Sequence, residues 1–253
     1  VGEGEIMDII SIILSFLHAF FGSIPPGQER KIVSPTPPQY VQKTVSHDLK
    51  EYGYSFIGPI EPERISLHSN LPGKKTSAEL MKEHSCTYLV NGGFYTKENT
   101  HLGLFLTDGN TLQDQIKSDL FNAFIAKTKT QKLTIKNTPP QEELFFALQS
   151  GPKLLDGRQL QILRLSKDEF ARRIAAGLDA SGSAYFFTVY ARENTYSGPY
   201  LSDLPEILQK IARVQAINLV HAINLDGGNH SAFYGDNAIF QELSPIGSFF
   251  CIV

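Results

Sequence analysis

Apolar and polar residues alternate with a period of two along much of this chain, which is the signature of half-buried strands. In "RISLHS" (64–69) Ile65 and Leu67 share one face. "CTYLVN" (86–91) is instead a continuous β-branched and aromatic run, the pattern of a central strand. "HLGLFLTDGN" (101–110) predicts a strand entering a turn at Asp108-Gly109, and "KLTIKN" (132–137) predicts another, closed by Pro139-Pro140. Residues 143–163 read as a strand to Gln149, a Gly-Pro turn and a hairpin at Asp156-Gly157. "AYFFTVYAR" (184–192) is a further strand.

Helical spacing is rarer. Leu112, Ile116, Leu120, Phe124 and Ile125 predict a helix over 112–127. Residues 202–214 predict a second, with Ser202 or Asp203 as N-cap, Pro205 in the first turn and Leu204, Ile207, Leu208 and Ile211 on one face. The strand "AINLVHAINLD" follows it, a βαβ-like passage that ends at Asp226. Residues 166–179 read two ways: Ser166 with Glu169 resembles a capping box, but Arg173–Asp179 could begin a strand. The expected class is α+β, with a mixed β-sheet core, a few packed helices and a single main domain at 41–253.

The N-terminal segment, residues 1–24, stands apart. Ile9–Phe21 is nearly all apolar but shorter than the roughly 20 residues a spanning helix needs. It suits a signal-peptide core or a packed helix, and any membrane association would run through it. Residues 25–40 carry five prolines and read as an extended linker. A signal-like start implies a secreted, periplasmic or envelope protein, with a cytoplasmic one left open.

Composition narrows the partners. A net charge of −3 over 253 residues gives no basic face for nucleic acid. Lys74-Lys75 and Arg172-Arg173 read as solvated pairs. Cys86 and Cys251 are too few for a metal cluster, and their spacing does not decide whether they pair.

Two strand ends carry the candidate chemistry. "YLVNGGFY" (88–95) and "NLDGGNHSAFY" (224–234) each end an apolar run in a short polar side chain and two glycines. Glycine lets a ligand approach the main chain, and successive N–H groups in such turns can form an anion-binding nest. The plainer reading of Asp226-Gly227-Gly228 is a tight turn in which Asp226 bonds its own backbone.

Taken together, the motifs resemble the phosphodiester glycosidase family, some of whose bacterial members are connected with exopolysaccharide. Asn91–Tyr95 is similar to its N-G-G-[FY]-[FY]; "GPKLLDG" (151–157) to its Gly-Pro-x-Leu segment followed by Asp-Gly; "RIAAGLDASG" from Arg173 to its R-x-A-x-G-x-D element; "SGPYLSDLPEILQKI" to its helix entrance; and "NLDGGNHS" to its terminal L-D-G-G-x-x-S. The resemblance spans roughly residues 50–253. Two departures stand out: Asn229-His230-Ser231 replaces Gly-Ser-Ser, and Arg192 lies in "YAREN" without the usual Asp-Gly before it.

That resemblance implies a hydrolase that cleaves a sugar-1-phosphodiester or related glycosidic bond in a cell-surface or extracellular glycan. Its ligand would be a carbohydrate or sugar phosphate. Asp226 would be the carboxylate catalyst, with Asp179 as second candidate and His230 as proton carrier. Arg173 and Arg192 would clamp phosphate, since guanidinium pairs bidentately with its oxygens. Asn91, Gly92, Gly93, Gly151, Gly227, Gly228 and Ser231 would contact substrate. No cofactor is required, although Asp226 with Asp179 could hold a divalent cation such as calcium. Cys86 with His84 lacks the orienting third group of a thiol hydrolase, and no G-x-S-x-G, P-loop or H-E-x-x-H occurs. The alternative is a non-catalytic carbohydrate-binding module on the same fold.

Overall fold

Alternation decides most of the architecture. The structure, a computed structural model, describes residues 43–253; the apolar segment at 1–24 and the Pro-rich stretch at 25–40 lie outside them. The described chain opens with β1 (Lys43–His47), β2 (Lys50–Ile60) and β3 (Ile65–Ser69), then helix α1 (Ser77–Glu83) and β4 (Tyr88–Asn91). A capping box starts α1: Thr76 Oγ1 accepts from the Glu79 N–H, and the Glu79 carboxylate accepts from the Thr76 N–H. Next come β5 (Phe105–Thr107), β6 (Asn110–Gln113), β7 (Ala123–Thr128), β8 (Leu133–Lys136) and β9 (Leu144–Ser150). After these run β10 (Lys153–Asp156), β11 (Gln159–Leu160), β12 (Arg173–Asp179) and β13 (Ala184–Ala191). Helix α2 (Leu204–Val214) precedes β14 (Leu219–Asn224), β15 (Phe233–Gly235), β16 (Ala238–Phe240) and β17 (Ser248–Ile252).

These strands form three sheets, ordered β1-β2-β13-β12-β14-β10-β11, β16-β15-β4-β17-β3 and β6-β5-β9-β7-β8. All three contribute to one central core: Ile174 and Phe186 from the first, Val90 and Phe250 from the second, Ile125 and Phe146 from the third. The outer face of the seven-stranded sheet is covered by α2, whose Leu204, Ile207, Leu208 and Ile211 pack on Ala175, Phe187 and Val189. Ile174 against Ala175, and Phe186 against Phe187, show the strand period sending alternate residues to opposite faces. A third cluster joins Leu80 of α1 to Leu89 and Phe249, and there Cys86 and Cys251 form a disulfide with Cα atoms 5.3 Å apart.

Several expectations need correction. Every strand pairing within these sheets is antiparallel, so the sheets are not mixed. The βαβ-like passage survives in another form: β13 and β14 both run antiparallel to β12 between them, hence parallel to each other. Strands dominate beyond an even α+β balance. The helix expected over 112–127 is absent. Leu112, Ile116 and Leu120 are exposed, while Phe124 and Ile125 are both buried in β7 between β8 and β9. Tertiary pairing overrides the helical spacing there. Arg173–Asp179 is a strand, and Ser166 and Glu169 start no helix. Among the described residues no helix is long and apolar enough to cross a membrane.

Candidate active site

The two glycine-paired strand ends meet. Asn91, the last residue of β4 and 1% exposed, donates from Nδ2 to the Asp226 carbonyl at 2.8 Å and to the Gly92 carbonyl at 3.1 Å. Its Oδ1 accepts from the Ala232 N–H at 3.0 Å. The Asp226 N–H in turn donates to the Gly92 carbonyl at 3.1 Å. Asn91 therefore spends its side chain fastening one strand end to the other, and acts as a positioning residue.

The glycines answer to close packing. A Cβ on Gly92 would lie 2.4 Å from Ser248 Oγ, and one on Gly227 would lie 2.7 Å from the Arg172 carbonyl. Their amides are also occupied. Gly92 and Gly93 donate to the Ser248 carbonyl and hydroxyl, Gly227 to Asp226 Oδ1 and Gly228 to the Arg172 carbonyl. The anion-binding nest is thus not formed, because strand packing has already used its donors. Ser231 is likewise internal: its hydroxyl donates to the Gly228 carbonyl at 2.5 Å and accepts from Arg172 Nε at 2.7 Å.

What remains open is acid–base chemistry. Asp226 is half-buried, and one oxygen accepts from the Gly227 N–H at 2.9 Å; the other has no partner among the described residues. Removal from water pushes its carboxyl up to about 8, and that single hydrogen bond offsets little of the shift. Nearby, Tyr95 Oη lies 3.0 Å from His230 Nδ1, and both reach the Pro245 carbonyl, at 2.6 and 3.1 Å. A carbonyl only accepts, so this arrangement places a proton on His230 Nδ1 and leaves Nε2 as the basic nitrogen. Burial, and secondarily the Asp226 charge, raise the Tyr95 pKa, which ties that pair to Asp226.

The Arg172-Arg173 doublet, read from sequence as solvated, is buried. Arg172 is 1% exposed and has no carboxylate in salt-bridge range among the described residues. It donates to the Ser231, Gln241 and Thr195 carbonyls and lies over the rings of Tyr196 and Phe240. Desolvation lowers its pKa to about 10. Arg173, with a side chain 12% exposed, donates from Nε to the Pro199 carbonyl and from Nη2 to Asp168 and the Glu169 carbonyl. Nη1 has no hydrogen-bond partner among the described residues. Burial also lowers the Arg173 pKa, against the opposing pull of Asp168.

The model for phosphodiester glycosidases matches residues 84–253, which include both strand ends, the arginine pair and the Asp226 loop. The chain belongs to the phosphodiester glycosidase family. Solved structures agree at the level of fold. The catalytic domain of zebrafish N-acetylglucosamine-1-phosphodiester alpha-N-acetylglucosaminidase, auto-inhibited by its pro-peptide, is 17% identical with a TM-score of 0.63, over 83% of this chain and 81% of that one. A hypothetical protein from Synechocystis is 14% identical with a TM-score of 0.53, over 83% of this chain and 61% of that one. A putative exported protein from Burkholderia pseudomallei is 11% identical with a TM-score of 0.54, over 80% and 74%. No curated protein sequence matches the chain.

Not every family-motif residue reaches Asp226. Asp179 ends β12 at the opposite end from Arg173, and its Oδ1 accepts from the Ser181 N–H, the Ser181 hydroxyl and the Ser183 N–H. It builds its own turn there, so Asp226 and Asp179 cannot share a cation. Arg192 is exposed and paired with Glu51. Gly151 lies two residues behind the site, its carbonyl accepting from Asn224 Nδ2 at 2.9 Å. A cavity of about 940 Å³ opens at the Asp179 end, beside Lys153, Asp156 and His221. There Asp156 lies 2.8 Å from Lys153 and 3.1 Å from His221, and Lys153 also reaches Asn137 at 2.7 Å. Asp226 differs from these groups in keeping one carboxyl oxygen without a hydrogen-bond partner among the described residues.

Proposed function

We propose that this phosphodiester glycosidase-family protein hydrolyses a sugar-1-phosphodiester, or a related glycosidic bond, in a cell-surface or extracellular glycan. One observation carries the reading: Asp226 is desolvated at the junction of two strand ends, beside the Tyr95–His230 pair. A carboxyl with a pKa of about 8 is mostly protonated at neutral pH. As a neutral acid it can approach a phosphodiester anion without repulsion and donate to the bridging oxygen. The departing phosphate is a weak base, so a hydrogen bond that strengthens as the anomeric C–O bond breaks is sufficient. Sequence reasoning cast Asp226 as an ionised carboxylate; its burial favours the acid form instead.

Arg173 offers Nη1 to the phosphate, while Asp168 and the Pro199 carbonyl fix the rest of its fork. His230 Nε2 accepts the proton of the water that attacks the anomeric carbon, its Nδ1–H being held by the Pro245 carbonyl. The chemistry needs no cofactor. A disulfide between Cys86 and Cys251 supports an oxidising compartment, in keeping with secretion or export to the envelope.

The test is phosphorus NMR on the purified protein with synthetic sugar-1-phosphodiesters, comparing wild type with Asp226→Asn. Appearance of the phosphomonoester with wild type alone supports the reading. Saturable sugar binding without any product would favour a carbohydrate-binding module on the same fold.

A further inference from the structure

We propose that His47, Asp48 and Asp203 form a divalent-metal site for a borderline ion such as Zn²⁺, away from Asp226. His47 ends β1 and shares the inward parity of Val45, so an imidazole is buried to 5% exposure where strand alternation calls for an apolar residue. Its Nε2 faces Asp48 Oδ2 at 3.6 Å and Asp203 Oδ1 at 3.8 Å. Both distances are too long for hydrogen bonds. They are close to the spacing of about 3.4 Å between two ligand atoms on one tetrahedral zinc ion with bonds near 2.1 Å. The three ligand atoms all lie within 4.8 Å of one another.

Two charged groups of α2 face the other ring nitrogen. Asp203 stands immediately before α2, and Glu206 and Lys210 follow on its first turns, one helical turn apart. Glu206 Oε2 lies 3.8 Å from His47 Nδ1, and Lys210 Nζ lies 3.1 Å from the same nitrogen. Coordination through Nε2 requires the proton on Nδ1, so on metal binding Lys210, which can only donate, gives up this contact and Glu206 closes from 3.8 Å to accept the proton, completing the carboxylate–histidine–metal arrangement. Lys210 keeps its second partner, the Ser46 carbonyl at 3.3 Å. A cavity of about 350 Å³ beside His47 and Asp48 leaves room for water in the remaining coordination positions. One imidazole and two carboxylates suit zinc and its neighbours better than calcium, which takes oxygen ligands only.

A bound ion would join the β1–β2 turn to the segment that holds Arg173. Asp203 closes that segment, Pro199 accepts from Arg173, and Leu201 and Ser202 donate their N–H groups to Asp168.

The experiment is calorimetric titration of the full chain, stripped of metal and freed of chelator, with Zn²⁺, alongside the visible absorption of a Co²⁺ sample. One equivalent should bind, and His47→Gln, Asp48→Asn and Asp203→Asn should each weaken it at least 10-fold. Asp48 is 85% exposed, so Asp48→Asn is expected to leave the fold intact, and circular dichroism checks this for all three. Absence of saturable binding, or wild-type affinity in all three variants, overturns the proposal.

Discussion

The Asn91 side-chain amide donates to the main-chain carbonyl of Asp226 at 2.8 Å, joining the end of β4 to the loop that leaves β14. A side chain from the β4 sheet thereby sets the position of the acid at the end of the seven-stranded one. Asn91→Ala leaves the Asp226 carbonyl and the Ala232 N–H without this partner in a buried setting. We expect a loss of about 2–4 kcal/mol in urea denaturation. Activity of the remaining folded protein should fall too, as Asp226 drifts. Unchanged stability would show that water replaces the amide.

Removing the Asp226 charge should stabilise the protein at high pH. Its carboxyl titrates near 3.8 when unfolded and near 8 when folded, so between these values the folded chain holds a proton the unfolded chain has lost. Wild-type stability from this group is therefore full below about pH 4 and is lost as pH rises towards 8. Asp226→Asn cannot ionise. Urea midpoints at pH 5, 7 and 9 should show the variant gaining steadily on wild type, and parallel profiles would refute the burial argument.

Sequence patterns went furthest where one face of a strand is buried. Both glycine-paired ends, the hairpin at Asp156-Gly157 and the α2 helix were legible because periodicity and turn chemistry agree locally. Arg172, one residue before β12, was missed, although its parity with Ile174, Ala176 and Leu178 turns it inward. Extending the alternation one step would have found it. The spacing over 112–127 misled because exposed and buried apolar residues were counted as one face. Asp179 was grouped with Asp226 by motif order, but a seven-residue strand at about 3.3 Å per residue carries it some 20 Å from Arg173. Which amides the packing consumes depends on neighbours far along the chain, such as Ser248 beside Gly92, and no local pattern reports it.

The disulfide should matter for stability more than for chemistry. Cys86 and Cys251 are separated by 165 residues and lie in the Leu80–Leu89–Phe249 cluster, away from Asp226. A cross-link closing so long a loop is worth about 2–4 kcal/mol, chiefly by restricting the unfolded chain. Cys86→Ser with Cys251→Ser should lower the melting temperature and leave kcat within about twofold at a temperature where both proteins are folded. A large kcat loss under those conditions would mean that the cluster positions the site.

The assignment of proton roles is decided by pH–rate profiles. If Asp226 works as the neutral acid, kcat/KM for a sugar-1-phosphodiester should fall as pH rises through about 8. A rate that climbs through that region would make it an ionised stabiliser, contrary to the reading above. Asp226→Asn should lose at least about 100-fold and also lose the alkaline limb, since the amide keeps the shape but not the dissociable proton. His230→Ala should slow turnover with a smaller change in KM, because Nε2 acts on water and not on the bound sugar. Arg173→Lys breaks the fork that spans Pro199 and Asp168 and gives up the planar Nη1 donor. It should raise KM for the phosphodiester more than the Kd for the free sugar. Equal effects on both would mean that Arg173 only shapes the wall of the site.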